Sequence, residues 1–256
     1  MLGFGLQLSS RAVRQSAGAP FSPSSLPLAA WFDPSDLSTL FQDSAGTIPV
    51  AADGDPVGLM LDKSGNGYHL GQATAAKRPV FRQAGARHWL ESDGVDDILV
   101  QASRLGFAVN PAITVVVGLQ EIATTAADAR VFHLGSNAGS PAGSVGTDGY
   151  SWRFNNGNER YQLVPSGVDQ VVTWARPQGG TYADSRLFID GVENARVSVA
   201  NGQSLPSSTA QSFAVFGQTT TTNNFSNIRL YGMIVGAFDD PALRASAEGW
   251  MAKKTG

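Results

Sequence analysis

Between residues 28 and 238, short apolar segments alternate with clusters of Gly, Asn, Asp and Pro. Alternation on this scale predicts short β-strands joined by tight turns, as in a sandwich or a barrel. The strands that we predict cover residues 28–32, 57–61, 89–91, 98–101, 113–122, 129–134, 150–155, 161–165, 170–176, 185–189, 192–199, 212–216 and 228–238.

Three of these segments support more detailed predictions. Residues 113–119 are β-branched or apolar on both faces, which is typical of a strand in the middle of a sheet. Asp190 and Gly191 separate two apolar segments, and an Asp-Gly pair favours the tight turn of a hairpin. Gly232, inside the last strand, predicts a bulge.

A helix is predicted only at the C-terminal end of the chain. Asp239 or Asp240 can cap it, and Pro241 suits its first turn. Positions i, i+4, i+7 and i+8 then carry the larger side chains of one face, which we expect to pack on the sandwich; they are Leu243, Ala247, Trp250 and Met251.

The first 27 residues differ in composition from the rest of the chain. Residues 16–27 are rich in Pro, Ser and small side chains, which predicts an extended N-terminal arm, followed by a single domain over residues 28–256. Arg11 and Arg14 follow the apolar start instead of preceding it, so the pattern is not that of a secretory signal. The arm is either flexible or a docking peptide for a partner, with its apolar side chains as candidate contacts: Leu2, Phe4, Leu6, Leu8 and Phe21.

Composition narrows the classes of function. The chain has 256 residues, a net charge of -3 and no cysteine. Lys and Arg are scattered, so we expect no nucleic-acid partner. No apolar run approaches the roughly 18–20 residues that span a bilayer. The absence of cysteine excludes disulfides, thiolate metal sites and a cysteine nucleophile.

Five motifs follow one another in a characteristic order. They are WFDPSD at the start of residues 31–43, then GDPVG at 54–58, LDKSGNG at 61–67, QATAAKRP at 72–79 and DGVDD at 93–97. In this order the chain resembles the concanavalin A-like (laminin G-like) jelly-roll domains of phage and prophage proteins. The resemblance covers most of residues 28–254. It implies an all-β fold, an antiparallel jelly-roll sandwich, here with an N-terminal extended arm and a short C-terminal helix.

The resemblance also implies a role in binding or in virion assembly. We therefore expect a non-enzymatic structural or adhesion component of a phage or phage-like particle, such as a tail, fibre or capsid-decoration protein. It would be made in the bacterial cytoplasm and would contact other virion proteins through the arm. A host-surface polysaccharide is a further expected partner for host attachment, and homo-oligomerisation stays open.

Glu91 and Asp93 offer an enzymatic alternative. They resemble the Glu-x-Asp-x-x-Glu strand of jelly-roll β-glucanases, although Asp96 stands at the third acidic position. A retaining glycosidase needs two carboxyl groups about 5 Å apart, and two residues at i and i+2 of a strand share a face. The favoured interpretation is a polar turn that precedes the strand at residues 98–101.

An aromatic and amide cluster is the candidate glycan site, and it would also suit a free carbohydrate-binding module. Aromatic rings can stack on sugars, and amides can bind hydroxyl groups. The alternative, favoured for Trp152, is that the ring lies in the core while the Asn residues form a hairpin turn. The candidate residues are Tyr150, Trp152, Asn155, Asn156 and Tyr161.

Oxygen-bearing side chains between residues 53 and 66 raise the question of calcium, which some laminin G-like domains bind. Calcium requires six to eight oxygen ligands. Lys63 and the low acidic density favour turns held by side-chain hydrogen bonds, so we predict no metal site and no cofactor. The residues considered for Ca²⁺ are Asp53, Asp55, Asp62, Ser64 and Asn66.

Overall fold

The computed structural model describes residues 21–107, 111–135, 141–147, 149–154, 157–161, 167–180, 184–198, 212–219 and 224–256. Two antiparallel sheets pack face to face, and one helix, α1 (Pro241–Thr255), closes the chain. The predicted all-β sandwich with a C-terminal helix is confirmed. Its strands are β1 (Leu28–Phe32), β2 (Leu40–Phe41), β3 (Leu59–Met60), β4 (Leu70–Gly71), β5 (Val80–Ala84), β6 (Arg87–Glu91), β7 (Leu99–Gln101), β8 (Ile113–Ala123), β9 (Ala129–Leu134), β10 (Ala142–Gly146), β11 (Gly149–Phe154), β12 (Gly157–Tyr161), β13 (Gln170–Arg176), β14 (Arg186–Ile189), β15 (Val192–Asn194), β16 (Arg196–Ser198), β17 (Phe213–Val215) and β18 (Asn227–Gly236).

The first sheet, which we call the helix-bearing sheet, has the order β15-β14-β13-β8-β18-β6-β5, and β1 also pairs with β18. The second has the order β16-β12-β11-β10-β9-β17-β7-β4-β3-β2. Strand β8 lies between β13 and β18, as its apolar pattern predicts. Asp190 (φ 49°) and Gly191 (φ 79°) form the predicted tight turn between β14 and β15. The register of β18 shifts between Leu230 and Gly232, which confirms the bulge.

The core between the sheets contains large aromatic side chains. Phe132 makes edge-to-face contacts with Trp174 (ring centroids 5.3 Å apart) and with Trp152 (5.7 Å). The indole N–H of Trp174 donates a hydrogen bond to the carbonyl oxygen of Ser151 at 3.0 Å, so its polar atom is satisfied. This cluster joins β13 of one sheet to β9 and β11 of the other.

Helix α1 covers the outer face of the helix-bearing sheet. The Asp240 carboxylate caps it by accepting the backbone N–H groups of Ala242 and Leu243, and Pro241 occupies the first turn. Ala247 and Met251 are buried against the sheet, with Leu243 and Trp250 half-buried beside them. The predicted helix and its packing face are therefore confirmed.

The strand predictions differ from the structure where small or polar residues dominate. Strand β10 has the sequence AGSVG, which lacks β-branched bulk except at Val145, yet it pairs with β9 and β11 on both sides. Pairing on two sides outweighs the weak intrinsic preference. Strand β12 ends at Tyr161, where we predicted a strand to begin, and the predicted strand at 192–199 is divided into β15 and β16.

The described part of the N-terminal segment, residues 21–27, contacts the domain. Pro23–Ser25 form one 3₁₀ turn capped by Ser22, and Phe21 and Leu26 belong to the apolar cluster beneath α1. The docking candidates Leu2, Phe4, Leu6 and Leu8 lie outside the described residues. Among the described residues, no helix has the length and apolar character needed to cross a membrane.

Candidate functional site

Tyr150 and Trp152, the aromatic members of the predicted glycan cluster, lie in the core. Their exposed fractions are 1% and 0%. The Tyr150 hydroxyl donates to Oε1 of Gln170 at 3.0 Å, and burial raises its pKa. Neither ring presents a face to solvent, so the core alternative is the one that the structure shows and a stacking role for these two rings is corrected. Asn155 and Asn156 lie outside the described residues, and Tyr161 is the last residue of β12.

Glu91 and Asp93 do not share a strand face. Strand β6 ends at Glu91, and Asp93 lies in the turn that follows, where its Oδ1 accepts the N–H of Val95 at 2.8 Å. Glu91 is held by two guanidinium groups, Arg82 Nε at 3.3 Å and Arg229 Nε at 3.4 Å. The turn interpretation is therefore the correct one, and the glucanase-like pair is not formed.

Glu91 belongs to a polar network on the outer face of the helix-bearing sheet. Its Oε2 accepts the indole N–H of Trp89 at 3.2 Å, and the Arg229 guanidinium lies 5.1 Å from the Trp89 ring centroid. Farther along, Arg87 donates to both Asp169 and the Tyr231 hydroxyl, and burial raises the pKa of Tyr231 to about 12. Each cation here has an anionic partner, and Trp89 is only 8% exposed. The network therefore stabilises this face and leaves little for a ligand to bind.

Asp62, the central candidate for calcium, is a turn former. Its Oδ1 accepts the backbone N–H groups of Trp31 (2.9 Å) and Ser64 (2.8 Å). Its Oδ2 accepts the Ser64 hydroxyl (2.7 Å) and the N–H of Tyr68 (3.1 Å). These contacts are the side-chain-to-backbone hydrogen bonds that the sequence favours for this loop.

Asp93, Asp96 and Asp97 form a carboxylate cluster that sequence analysis did not assemble. Their candidate ligand oxygens lie within 4.8 Å of one another. Asp97 is buried, which raises its pKa to about 6, and the neighbouring carboxylates act in the same direction. The three aspartates were visible in the sequence as the motif DGVDD. Three acidic residues in a turn do not by themselves distinguish a metal site from a loop that is stabilised by side-chain-to-backbone hydrogen bonds.

A cleft opens between α1 and the β14–β15 hairpin. It has a volume of about 330 Å³. Gly191 has no side chain on the sheet side, and the helix presents small residues at i, i+4 and i+7, so space remains between the two elements. The cleft is lined by Val171, Asp190, Gly191, Arg244, Ala245, Glu248, Gly249 and Ala252.

Two charged side chains on the helix give the cleft its chemistry. The Glu248 side chain is 8% exposed, and burial raises its pKa. Nε of Arg244 lies 3.4 Å from Oε1 of Glu248, and these two atoms are buried from solvent. The Arg244 guanidinium also stacks on Phe188, 3.4 Å from the ring centroid. Oε2 of Glu248 lies on the side of Gly191, 3.7 Å from the position of a Cβ atom there, so the pair places a guanidinium and a carboxylate in the wall of the cleft.

A guanidinium beside a carboxylate favours one kind of ligand group. A hydroxyl can donate to the Glu248 carboxylate and accept from the Arg244 guanidinium at the same time. An anion would be repelled by Glu248 and by the nearby Asp190. The cleft is thus suited to a ligand that carries hydroxyl groups.

Sequence analysis missed this cleft. The i, i+4 pair of Arg244 and Glu248 was visible on the predicted helix, and such pairs are ordinary surface features of helices. The missing information was that α1 lies beside the Asp190-Gly191 turn, which is a tertiary contact.

Comparisons with known proteins concern the fold. Neither a family model nor a curated protein matches the sequence. Among solved structures, the chain is similar to Trypanosoma rangeli sialidase in complex with sialic acid (12% identity, TM-score 0.57, 87% of this chain). It is similar to the binding domain of Paraclostridial Mosquitocidal Protein 1 (11% identity, TM-score 0.56, 91% of this chain). A third match is botulinum neurotoxin type C, whose passage into cells depends on interaction with two ganglioside molecules (10% identity, TM-score 0.52, 75% of this chain).

The chain spans 32% of the length of the sialidase chain and 53% and 49% of the two toxin chains. The expectation of a non-enzymatic protein is corrected by these matches. Sialidases are enzymes, and five sialidase structures match this fold. The fold therefore occurs in enzymes and does not support a non-enzymatic role. At this level of identity the matches establish a β-sandwich of the kind found in sialidases and toxin binding domains.

Proposed function

We propose that the chain is a carbohydrate-binding β-sandwich and that the cleft beside α1 holds a sugar ring. The observation that carries the proposal is the ion pair of Arg244 and Glu248 in the wall of a cleft of about 330 Å³. Small-molecule sites are concave, largely apolar and have a few convergent polar groups. Val171, Ala245 and Ala252 supply the apolar surface.

The structural neighbours support the class of ligand. One sialidase neighbour holds sialic acid, and the botulinum neurotoxin interacts with gangliosides, so two of the similar sandwiches belong to proteins that bind sugars. In this chain the rings of Tyr150 and Trp152 are buried in the core. In our proposal the sugar is bound by polar groups at the helix, with the alanines beneath it.

The test fills the cleft. A Cβ atom built on Gly249 meets nothing within 4 Å, so Gly249→Leu places its side chain in the open space without a clash. We expect the wild-type chain to bind members of an array of neutral, sialylated and bacterial-surface glycans. Titration calorimetry with the best ligand should then show at least a tenfold loss of affinity for Gly249→Leu.

Ala242→Leu is the matched control, because Ala242 is exposed on the same helix and does not line the cleft. It should bind as the wild type does. The proposal is overturned if the wild type binds no glycan, or if Gly249→Leu binds as tightly as the wild type.

We further propose that the domain is carried by a phage or phage-like particle, as a tail, fibre or decoration protein that attaches to host polysaccharide. The support is the order of the five motifs between residues 31 and 97. Residues 1–20 would dock to other virion proteins, since Phe21 and Leu26 pack on the domain itself. Mass spectrometry of purified particles should detect the chain, and particles made with a chain that lacks residues 1–20 should lose it. Unchanged occupancy would exclude the docking role.

A further inference from the structure

The cleft beside α1 does not end at Arg244. A small cavity on the other side of Arg244 is also lined by Pro177 and Arg186, and these two residues line a second cleft of about 360 Å³. The small cavity thus shares Arg244 with the first cleft and Pro177 and Arg186 with the second. We call the three spaces together the helix groove, which follows β14 from Gly191 to Arg186.

The length of the helix groove follows from the strand. Strand β14 runs three residue steps from Arg186 to Ile189, which is about 10 Å at the usual rise of a strand, and the Asp190-Gly191 turn lies beyond it. Between these ends, Phe188 lies on the helix side of β14, because the Arg244 guanidinium of α1 covers its ring. The groove is therefore longer than one sugar ring and has a narrow middle, formed by Arg244.

The charges of the helix groove are mixed. Four guanidinium groups and five carboxylates line the three spaces. The second cleft repeats the chemistry of the first, with Arg186 and Glu193 both at its wall. In the first cleft Asp190 and Glu248 outnumber Arg244, so a carboxylate-bearing sugar would meet repulsion there.

We propose that the helix groove binds several consecutive units of a neutral oligosaccharide chain. This inference rests on the proposed carbohydrate-binding function and adds two properties of the ligand: its length and its lack of charge. Binding by pairs of guanidinium and carboxylate groups at both ends places hydroxyl groups of different units in contact with the protein. The ligand class differs from the acidic sugar that the sialidase neighbour holds.

The experiment measures affinity against chain length. Neutral gluco-, manno- and N-acetylglucosamine oligosaccharides of one to six units are titrated calorimetrically, together with lactose and sialyllactose. We expect the tetrasaccharide of the bound series to bind at least tenfold more tightly than its monosaccharide. Sialyllactose should bind no more tightly than lactose.

Two variants locate the ligand. Ala195→Trp blocks the second cleft and should weaken binding of the tetrasaccharide while leaving the monosaccharide unaffected. Gly249→Leu, in the first cleft, should weaken both. Ala76→Trp changes an exposed residue outside the groove and serves as the control for surface indoles.

The outcomes separate the two proposals. If the monosaccharide binds as tightly as the tetrasaccharide, or if Ala195→Trp has no effect, the extended groove is wrong while sugar binding stands. Preferential binding of sialyllactose overturns the neutral ligand. Failure of every sugar to bind removes both the groove and the proposed function.

Discussion

Single aspartates organise the loops that carry the five sequence motifs. Asp62 holds the LDKSGNG loop, and Asp93 holds DGVDD through the N–H of Val95. Asp33, in WFDPSD, accepts the N–H of Ser35 and also binds Nζ of Lys254 at 3.1 Å. Turn formation by these residues could be predicted from their types. The contact between Asp33 and the C-terminal helix could not, because the two residues are 221 positions apart.

Asp97 makes the stability of the domain depend on pH. Its pKa is raised from 3.8 to about 6 in the fold, mainly by burial. The unfolded chain therefore binds fewer protons than the fold between these values, and the free energy of unfolding falls as the pH rises from about 4 to 6. Asp97→Asn removes this penalty and should raise the free energy of unfolding at pH 7 by roughly 1–3 kcal/mol. The measurement is urea unfolding at several pH values.

At pH 3.5 most of the gain from Asp97→Asn should disappear, since the wild-type carboxyl is then protonated in the fold and mostly protonated in the unfolded chain. The N–H of Asp93 donates to Asp97 at 3.0 Å, and an amide oxygen can accept it equally. Asp239→Asn is the control, because it makes the same charge change at an exposed position away from this turn. Equal gains from Asp97→Asn at pH 3.5 and pH 7 would contradict the role of the buried carboxylate.

At the scale of elements, two glycines allow α1 to pack closely on the sheet. Gly118 of β8 and Gly232 of β18 are paired across the strands. A Cβ atom on Gly118 would lie 2.9 Å from Sδ of Met251, and one on Gly232 would lie 3.1 Å from the same atom. The absence of side chains at both positions is thus what lets α1 approach the sheet.

Gly118→Val should destabilise the domain by about 1–3 kcal/mol, because the added methyl groups would occupy the space that the Met251 side chain fills against the sheet. Met251→Ala alone leaves a cavity and should cost about 2–5 kcal/mol. The double variant should lose less than the sum, since the valine fills part of the space that methionine vacates. Urea unfolding of the four proteins measures the coupling, and strict additivity would rule out direct packing between residues 118 and 251.

Strands and the helix could be predicted where a segment consists mainly of residues with one structural preference. Strand β13 has the predicted bounds, residues 170–176, and α1 begins at the predicted proline. Strand β10 was missed because its side chains are small, and it exists through its neighbours in the sheet. The helix groove was missed for a related reason: it is formed by α1 and the β14–β15 hairpin, two elements about 50 residues apart in the sequence, and neither contains a motif for sugar binding.

At the scale of the whole molecule, the residues that precede β1 determine where the domain begins. We predicted an arm up to residue 27, but the described residues before β1 contact the fold. Leu26 is 7% exposed and shares an apolar cluster with Phe238, and the N–H of Ala237 donates to the carbonyl oxygen of Pro27 at 3.3 Å. The 3₁₀ turn of residues 23–25 brings Phe21 to the same cluster. We therefore predict that the folded unit includes residues from 21 onward.

Two shortened chains test this boundary, one that begins at residue 21 and one that begins at residue 28. Loss of the buried Leu26 and the half-buried Phe21 should lower the free energy of unfolding of the shorter chain by about 2–4 kcal/mol relative to the longer one. For a domain of this size the difference corresponds to roughly 5–10 °C in Tm. Scanning calorimetry of the two chains measures it, and their comparison leaves residues 1–20 out of both. Equal Tm values would mean that residues 21–27 add nothing to the domain and that the boundary lies at residue 28, where the sequence placed it.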